Sequence, residues 1–341
     1  MKVVFHPRQK QHYPARFLVN GRFQPNPEMP ERLDRLLEGA RLAGCEPETP
    51  SVTDMGPIEA VHSSAYLQFL EHAFERWQRI DGAADAVTPN IHPDRRDTGY
   101  PASVVAQAGY HMSDAAAPIA DGTWESCCQS AWTASHAARL VVAGQHSVYA
   151  LCRPPGHHAF SDMAGGFCYL NNTAIGAQTL RQAHHRVAIL DVDLHHGNGT
   201  QSIFYDRDDV LTVSIHADPL RFYPFFWGYA KERGAGNGQG YNVNLPLPRG
   251  SGDAEFLAAL ETAIERIRVF SPGALVIALG LDAFEGDPFG GLRVSTGGFH
   301  AMAVMIAKQL PFPKLIVQEG GYLCDELGEN LNRFLQGIQE G

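Results

Sequence analysis

Four ionisable side chains stand where a protein usually avoids them. The apolar run RVAIL (186–190) is followed at once by Asp191, Asp193, His195 and His196, and then by the glycine-broken GNGT. Charges beside a core are costly unless they are paired or coordinate a metal. Asp193 and His195 are two apart, and in extended backbone residues i and i+2 point the same way, so both can reach one ion. Asp282 closes another apolar run, LVIALGLD (275–282), and can supply a third ligand. Two carboxylates and one imidazole without a thiolate suit a catalytic divalent ion with open positions, Zn²⁺ first; Fe²⁺ and Co²⁺ suit the same donors. The alternative for this stretch alone is a buried Asp–His ion pair. Asp191 shares the face of Asp193 and can orient an imidazole from outside the ligand set.

Three further apolar runs end in the same way. VYALC (148–152) leads into RPPGHH with His157 and His158, LTVSIH (211–216) ends at His216 with Asp218 beyond, and LIVQEGGY (315–322) ends at Glu319 and Tyr322. The tandem histidines follow a Pro-Pro-Gly turn that aims them as metal ligands, acid–base groups or ordinary loop residues. Adjacent side chains diverge in extended backbone, so the two are expected to do different jobs. Tyr322 follows two glycines, which open conformations closed to other residues. Its phenol can swing over a metal-bound carbonyl or cap a turn.

These runs need a scaffold that brings their ends together. Candidate strands Lys2–Phe5, Ser147–Cys152, Val187–Asp191, Val210–His216, Ala274–Gly280 and Lys314–Gln318 alternate with helical patterns over Ser130–Ala143, Asn172–Gln182, Ala254–Phe270 and Gly298–Gln309. Phe256, Leu257, Leu260, Ile264 and Ile267, for example, recur at the three–four spacing of a helix. Uniformly apolar strands alternating with helices indicate an α/β fold, a multi-stranded parallel sheet with helices on both faces. Such sheets bind ligands at the carboxyl ends of their strands. Residues 78–124 hold no clean period at their start, and we read them as a long insertion in a single domain spanning 1–341. Long ordered loops of this kind serve a function or an interface. The glycine-rich AGNGQGYNVNLPL (235–247) precedes a strand rather than a helix, so it fails the context of a dinucleotide fingerprint.

The chain has 341 residues, 44% of them hydrophobic, and carries 37 acidic against 27 basic side chains for a net charge of −10. That balance disfavours nucleic acid, whose binding needs basic surface, and is compatible with a cationic ligand. Six irregularly spaced cysteines without a CxxC pair argue against a disulfide framework and for a reducing, cytoplasmic setting. MKVVFHPRQK has too short an apolar run for a signal peptide, and no stretch approaches the 18 apolar residues of a membrane helix.

Taken together, RPPGHHA (153–159), GGFCYLNN (165–172), LDVDLHHGNGTQSIFY (190–205), VSIHADP (213–219), GLDAF (280–284) and EGGY (319–322) resemble the arginase–deacetylase superfamily, in particular the zinc-dependent histone deacetylases. Within it, the short N-terminus, the insertion and FYPFFWGYAKERGAG (222–236) are similar to the bacterial acetylpolyamine amidohydrolases. The resemblance implies the arginase/deacetylase fold. It implies hydrolysis of a small cationic acetylated amine, such as an N-acetylpolyamine, to amine and acetate. Protein lysine deacetylation is the alternative, since the same residues serve both. A binuclear manganese hydrolase fits less well, because Leu281 and Ala283 flank Asp282 without adding carboxylates. A noncatalytic binder fits poorly while His158 and Tyr322 are both present.

By residue, the resemblance implies one Zn²⁺ on Asp193, His195 and Asp282. His158 would be general base and then general acid, with Asn198 behind it where some family members carry Asp. His157 would be an electrostatic partner hydrogen-bonded to Asp191, and Tyr322 would polarise the scissile carbonyl. Phe167 and Tyr223 would wall the substrate tunnel, and the Gly166 carbonyl would accept the substrate amide N–H. Potassium would bind at Asp191, Asp193, His195, Ser214 and Ile215, and again at Phe204, Arg207, Val210 and Tyr241, with Arg207 giving only its carbonyl. Arg32 matches an arginine lining an internal exit channel. Some relatives place a glutamate a few residues before GTW; here Ala116 holds that position, with Asp114 or Asp121 as substitutes. The insertion would form a homodimer that narrows the tunnel mouth.

Overall fold

Side chains of opposite parity along each central strand enter different cores. In Ala274–Leu279, Ala274 and Val276 join one buried cluster, while Leu275, Ile277 and Leu279 join another. A strand buried on both faces needs helices on both sides, and the computed structural model supplies them. It describes residues 1–51, 53–97 and 99–341; Thr98, inside the 78–124 segment, lies outside the described residues.

The strands are β1 (Lys2–Val4), β2 (Arg16–Val19), β3 (Arg22–Pro25), β4 (Glu46–Glu48), β5 (Ser147–Ala150), β6 (Val187–Asp191), β7 (Val210–Ala217), β8 (Asn242–Leu247), β9 (Ala274–Leu279) and β10 (Lys314–Gln318). The helices are α1 (Glu31–Leu42), α2 (Gly56–Glu59), α3 (Ser64–Gln78), α4 (Val104–His111), α5 (Thr123–Val142), α6 (Asn172–Arg181), α7 (Asn198–Phe204), α8 (Asp253–Phe270), α9 (Thr296–Gln309) and α10 (Leu327–Glu340). Eight strands form one parallel sheet in the order β4-β1-β5-β10-β9-β6-β7-β8, and β2 and β3 form a separate antiparallel hairpin. One face is covered by α1, α8, α9 and α10 through Leu36, Leu260, Met302 and Phe334. The other is covered by α3, α5 and α6 through Phe69, Ala134 and Ile175.

The five strands that run into polar clusters, β5, β10, β9, β6 and β7, occupy five consecutive places in that order. Their carboxyl ends therefore lie side by side along one edge of the sheet, where open parallel sheets bind ligands.

Several elements had no clear signature in the sequence. Helix α5 begins at Thr123, before the expected Ser130, because the residues buried along its first half are mostly polar (Thr123, Ser126, Gln129 and Ser130) and show no apolar stripe to mark a period. Segment 78–124 is not a bare loop. It contains the eight-residue α4, and a backbone bridge between Val87 and Ile119 ties its ends together. Val87, Val104, Ala108, Met112 and Ile119 pack it into the core beside α3 and α5.

Candidate active site

Strand β6 stops at Asp191, so Asp193 and His195 lie on bends beyond it rather than on extended backbone. What unites them is a turn closed by Asp193 itself, whose Oδ1 accepts the His195 N–H at 2.8 Å. Aspartate readily makes such side-chain-to-backbone bonds two residues on. Asp282, just past β9, arrives from the next strand. Its Oδ1 accepts the Leu194 N–H at 3.0 Å, and its Oδ2 lies 3.1 Å from His195 Nδ1. The second oxygen of Asp193 accepts the Gly320 N–H at 2.7 Å.

One ligand atom from each of Asp193, His195 and Asp282 falls within 4.8 Å of the others, and all three residues are buried. Burial opposes a charge on His195, yet Asp193 and Asp282 outweigh it and lift the imidazole to about 9. Asp282 is raised by burial and then by the charge of Asp193. Two carboxylates are thus buried around an imidazole forced to hold a proton. A divalent cation would answer the same charge deficit and release that proton, which is how oxygen and nitrogen ligands meet a metal. The donor set fits the expected Zn²⁺.

His157 and His158 do not diverge. They occupy a turn with ring centroids 4.0 Å apart. Their partners differ instead. His157 Nδ1 lies 3.0 Å from Asp191 Oδ2 and its Nε2 lies 3.8 Å from Asp193. Burial opposes its charge, but Asp193 and Asp191 prevail and raise it to about 10. His158 Nδ1 lies 2.7 Å from Asn198 Oδ1 at the start of α7. Burial, then the neighbouring His157 and His195, push His158 well below its ordinary value, so it is neutral. With the Asn198 oxygen accepting from Nδ1–H, the lone pair of His158 is on Nε2.

The EGGY turn after β10 holds the assembly together. Glu319 Oε2 accepts the N–H groups of Gly156 at 2.6 Å and His157 at 2.9 Å, which aims the histidine turn. Gly320 is required by space, since a Cβ there would stand 2.2 Å from Asp282 Oδ2 and 2.6 Å from Asp193 Oδ2. The buried Arg32 donates to the Gly321 and Glu319 carbonyls at 2.6 and 2.8 Å and pairs with Glu28 at 2.6 Å. Its guanidinium lies 5.0 Å from the Tyr322 ring centroid. The Tyr322 N–H donates to Asp287 Oδ2 at 2.9 Å. Burial drives the phenol well above its ordinary value and keeps it a proton donor.

A cavity of about 480 Å³ opens onto this centre, and His158, His195, Gly166, Phe167, Tyr223 and Tyr322 all line it. At Gly166, in the left-handed region with φ of 52°, a Cβ would meet His158 Cδ2 at 2.5 Å. Ala116 and Asp114 line the cavity too. Asp114 is engaged there, accepting the Tyr223 hydroxyl at 2.6 Å and the Ala116 N–H at 2.8 Å. Asp121 is not among the lining residues.

The residues expected at the first potassium site sit on the neighbouring ends of β6 and β7, where Asp191 pairs with Ser214 in register. Those of the second, Phe204, Arg207, Val210 and Tyr241, gather around the start of β7. There the Phe204 carbonyl accepts from Arg207 N at 3.1 Å and the Tyr241 carbonyl from Thr212 N at 3.0 Å. The Arg207 side chain pairs with Asp209 at 2.8 Å and lies 5.1 Å from the Phe204 ring centroid.

Phe222, Phe289 and Asp287 were not singled out from sequence. Phe222 stacks on His195 at 5.2 Å with its ring tilted by 22°, and Phe289 meets the same imidazole edge-on at 5.6 Å. The local signals are the glycine- and aromatic-rich FEGDPFGG that follows Asp282 and, for Phe222, its place at the start of FYPFFWGYAKERGAG. His196 is buried against His216 at 4.7 Å and away from the cavity lining.

Residues 26–338 match the histone deacetylase domain. The chain is 45% identical to the acetylpolyamine amidohydrolase of Burkholderia pseudomallei, over 99% of this chain and 98% of that protein. It is 43% identical to acetylpolyamine amidohydrolase 1 of Pseudomonas aeruginosa, over 99% of both. The crystal structure of acetylpolyamine aminohydrolase from Burkholderia pseudomallei aligns with a TM-score of 0.96 at 45% identity, covering 99% of this chain and 98% of the other.

Proposed function

The chain belongs to the histone deacetylase domain family, and from that premise we propose that it is a metal-dependent amidohydrolase that removes acetyl groups from N-acetylated polyamines or similar small acetylated amines, releasing acetate. The observation that carries this reading is the convergence of a neutral His158, the Tyr322 phenol and the Asp193–His195–Asp282 cluster at one cavity.

Asp193, His195 and Asp282 would hold one Zn²⁺ per chain. When bound, the ion supplies a Lewis acid for the acetyl carbonyl and lowers the pKa of a coordinated water toward neutrality. His158 Nε2 takes a proton from the attacking water as the new C–O bond forms. It returns that proton to the amine nitrogen as the C–N bond breaks. Tyr322 donates its O–H to the carbonyl oxygen as negative charge develops there. His157, hydrogen-bonded to Asp191, adds to the burial that keeps His158 neutral and ready to accept. The Gly166 carbonyl accepts the substrate amide N–H, while Phe167 and Tyr223 confine the alkyl chain.

Potassium at the two corners described would balance Asp191 and brace the strand ends. Melting temperatures in potassium chloride and tetramethylammonium chloride report it, and equal values count against it. Ile91 and Tyr100 stay 59% and 48% exposed on the 78–124 segment, which supports a homodimer through that face; a monomeric mass in solution rejects it. No helix among the described residues is long and apolar enough to cross a membrane, and we place the enzyme in the cytoplasm.

The deciding experiment compares acetylputrescine and acetylcadaverine with an acetyl-lysine peptide. The small amines are expected to show kcat/KM at least about tenfold higher, a difference of about 1.4 kcal/mol in transition-state binding. A preference for the peptide supports protein deacetylation instead.

A further inference from the structure

The cavity that leads to His158 and Tyr322 carries three other charged side chains, Asp114, Arg221 and Arg249. Asp114 is occupied by the Tyr223 hydroxyl and by the N–H groups of Ala116 and Gly166. The two arginines are exposed, and among the described residues neither forms an ion pair. The hydrogen bond of Arg249 goes to a neutral acceptor, the Gly290 carbonyl, at 2.8 Å. Both guanidinium-bearing side chains also line an adjoining cavity of about 340 Å³. Its one carboxylate, Asp218, accepts the Leu220 N–H at 2.9 Å. The Arg249 guanidinium lies 5.9 Å from the Phe222 ring, and Phe222 stacks on His195 at 5.2 Å. A rim with two guanidinium groups and one exposed carboxylate, Asp218, therefore stands one aromatic ring away from the candidate metal cluster.

An acetylated diamine brings to that rim only an ammonium, which a guanidinium cannot bind. A substrate with a carboxylate beside its free amine brings the planar, bidentate partner that guanidinium binds best. We propose that Arg221 and Arg249 select N-acetylated diamino acids with a free carboxylate, such as Nε-acetyl-lysine, from among small acetylated amines. This rests on the deacetylase reading of the reacting centre and adds the substrate class.

Nε-acetyl-lysine is acetylcadaverine with a carboxylate on the carbon that bears the free amine, so the pair isolates the contribution of the rim. The test measures kcat and KM for acetylcadaverine, Nε-acetyl-lysine and Nε-acetyl-lysinamide, the last having a carboxamide in place of the carboxylate. In the wild type, kcat/KM for Nε-acetyl-lysine is expected to exceed that for the carboxamide at least about tenfold. The gain should fall mainly in KM, because the contact is made equally in ground and transition states. The double variant Arg221→Gln, Arg249→Gln should lose most of that ratio. If the wild type hydrolyses acetylcadaverine but treats the acid and the carboxamide alike, the rim assignment is overturned while the deacetylase reading stands. If the ratio survives in the variant, the rim assignment is likewise overturned. If the wild type releases acetate from none of the three, both readings fall. The wild-type comparison does not depend on the variant folding.

Discussion

Gly320→Ala tests whether the candidate metal cluster is held as described. Gly320 does not occupy the left-handed region, so alanine meets no backbone strain there; the obstacle is space. The added methyl would stand 2.2 Å from Asp282 Oδ2, 2.6 Å from Asp193 Oδ2 and 2.7 Å from Asp282 Cγ. An ordinary contact needs at least about 3.5 Å, so Asp282 must retreat by about 1.3 Å and Asp193 by about 0.9 Å. Neither can do so freely. Asp282 is pinned by the Leu194 N–H at 3.0 Å, and Asp193 by the N–H groups of His195 at 2.8 Å and of Gly320 itself at 2.7 Å. Metal–ligand distances tolerate only about 0.2 Å. Overpacking of this size costs about 1–3 kcal/mol of stability, while loss of one well-placed ligand oxygen should weaken metal binding at least about a hundredfold, the upper range for disturbing a ligand's support. Zinc affinity by competition with a chromophoric chelator, kcat on acetylcadaverine and a thermal melt together give the answer. A folded variant with wild-type affinity and kcat would refute the proposed packing of Gly320 against the two carboxylates and, with it, their joint role.

His158→Ala and Tyr322→Phe should fold and bind metal but lose about a hundred- to thousand-fold in turnover, the usual cost of removing one group that stabilises developing charge; near-wild-type rates in both would sink the assignment. Lys314 opens β10 and is buried, with its ammonium donating to the Phe312 carbonyl at 2.9 Å. Burial lowers it to about 8. A lysine depressed in the folded state burdens stability fully below pH 8, and the burden fades as pH rises to the unfolded value near 10.5. The full shift corresponds to about 3 kcal/mol, discounted to about 2 for screening at the strand's first residue. Lys314→Met should therefore gain about 2 kcal/mol in urea unfolding at pH 7 and less than about 1 at pH 10; a gain that does not shrink with pH would rule out this linkage.

The sequence alone was enough to read the scaffold's logic. Runs such as VAILD and LVIAL are apolar throughout because each residue of a strand covered on both faces meets a core, and that pattern is local. The abrupt polar ends marked the sheet edge, and Asp193, His195 and Asp282 stood out because ionisable groups directly after such runs need a reason. Helix α5's first half was illegible for a different cause: its buried positions are mostly polar, so no apolar stripe shows.

Only tertiary structure decided what the polar ends do to one another. Strand order brings Asp282 beside residues nearly ninety positions earlier and sets Gly320 against both carboxylates. It also gives His157 two aspartates and His158 an amide, separating two adjacent histidines that sequence could only suppose to differ. The stacking of Phe222 on His195 and the arginine rim were invisible beforehand, because their meaning depends on what lies across the cavity, and spacing along a chain carries no information about contacts made through space.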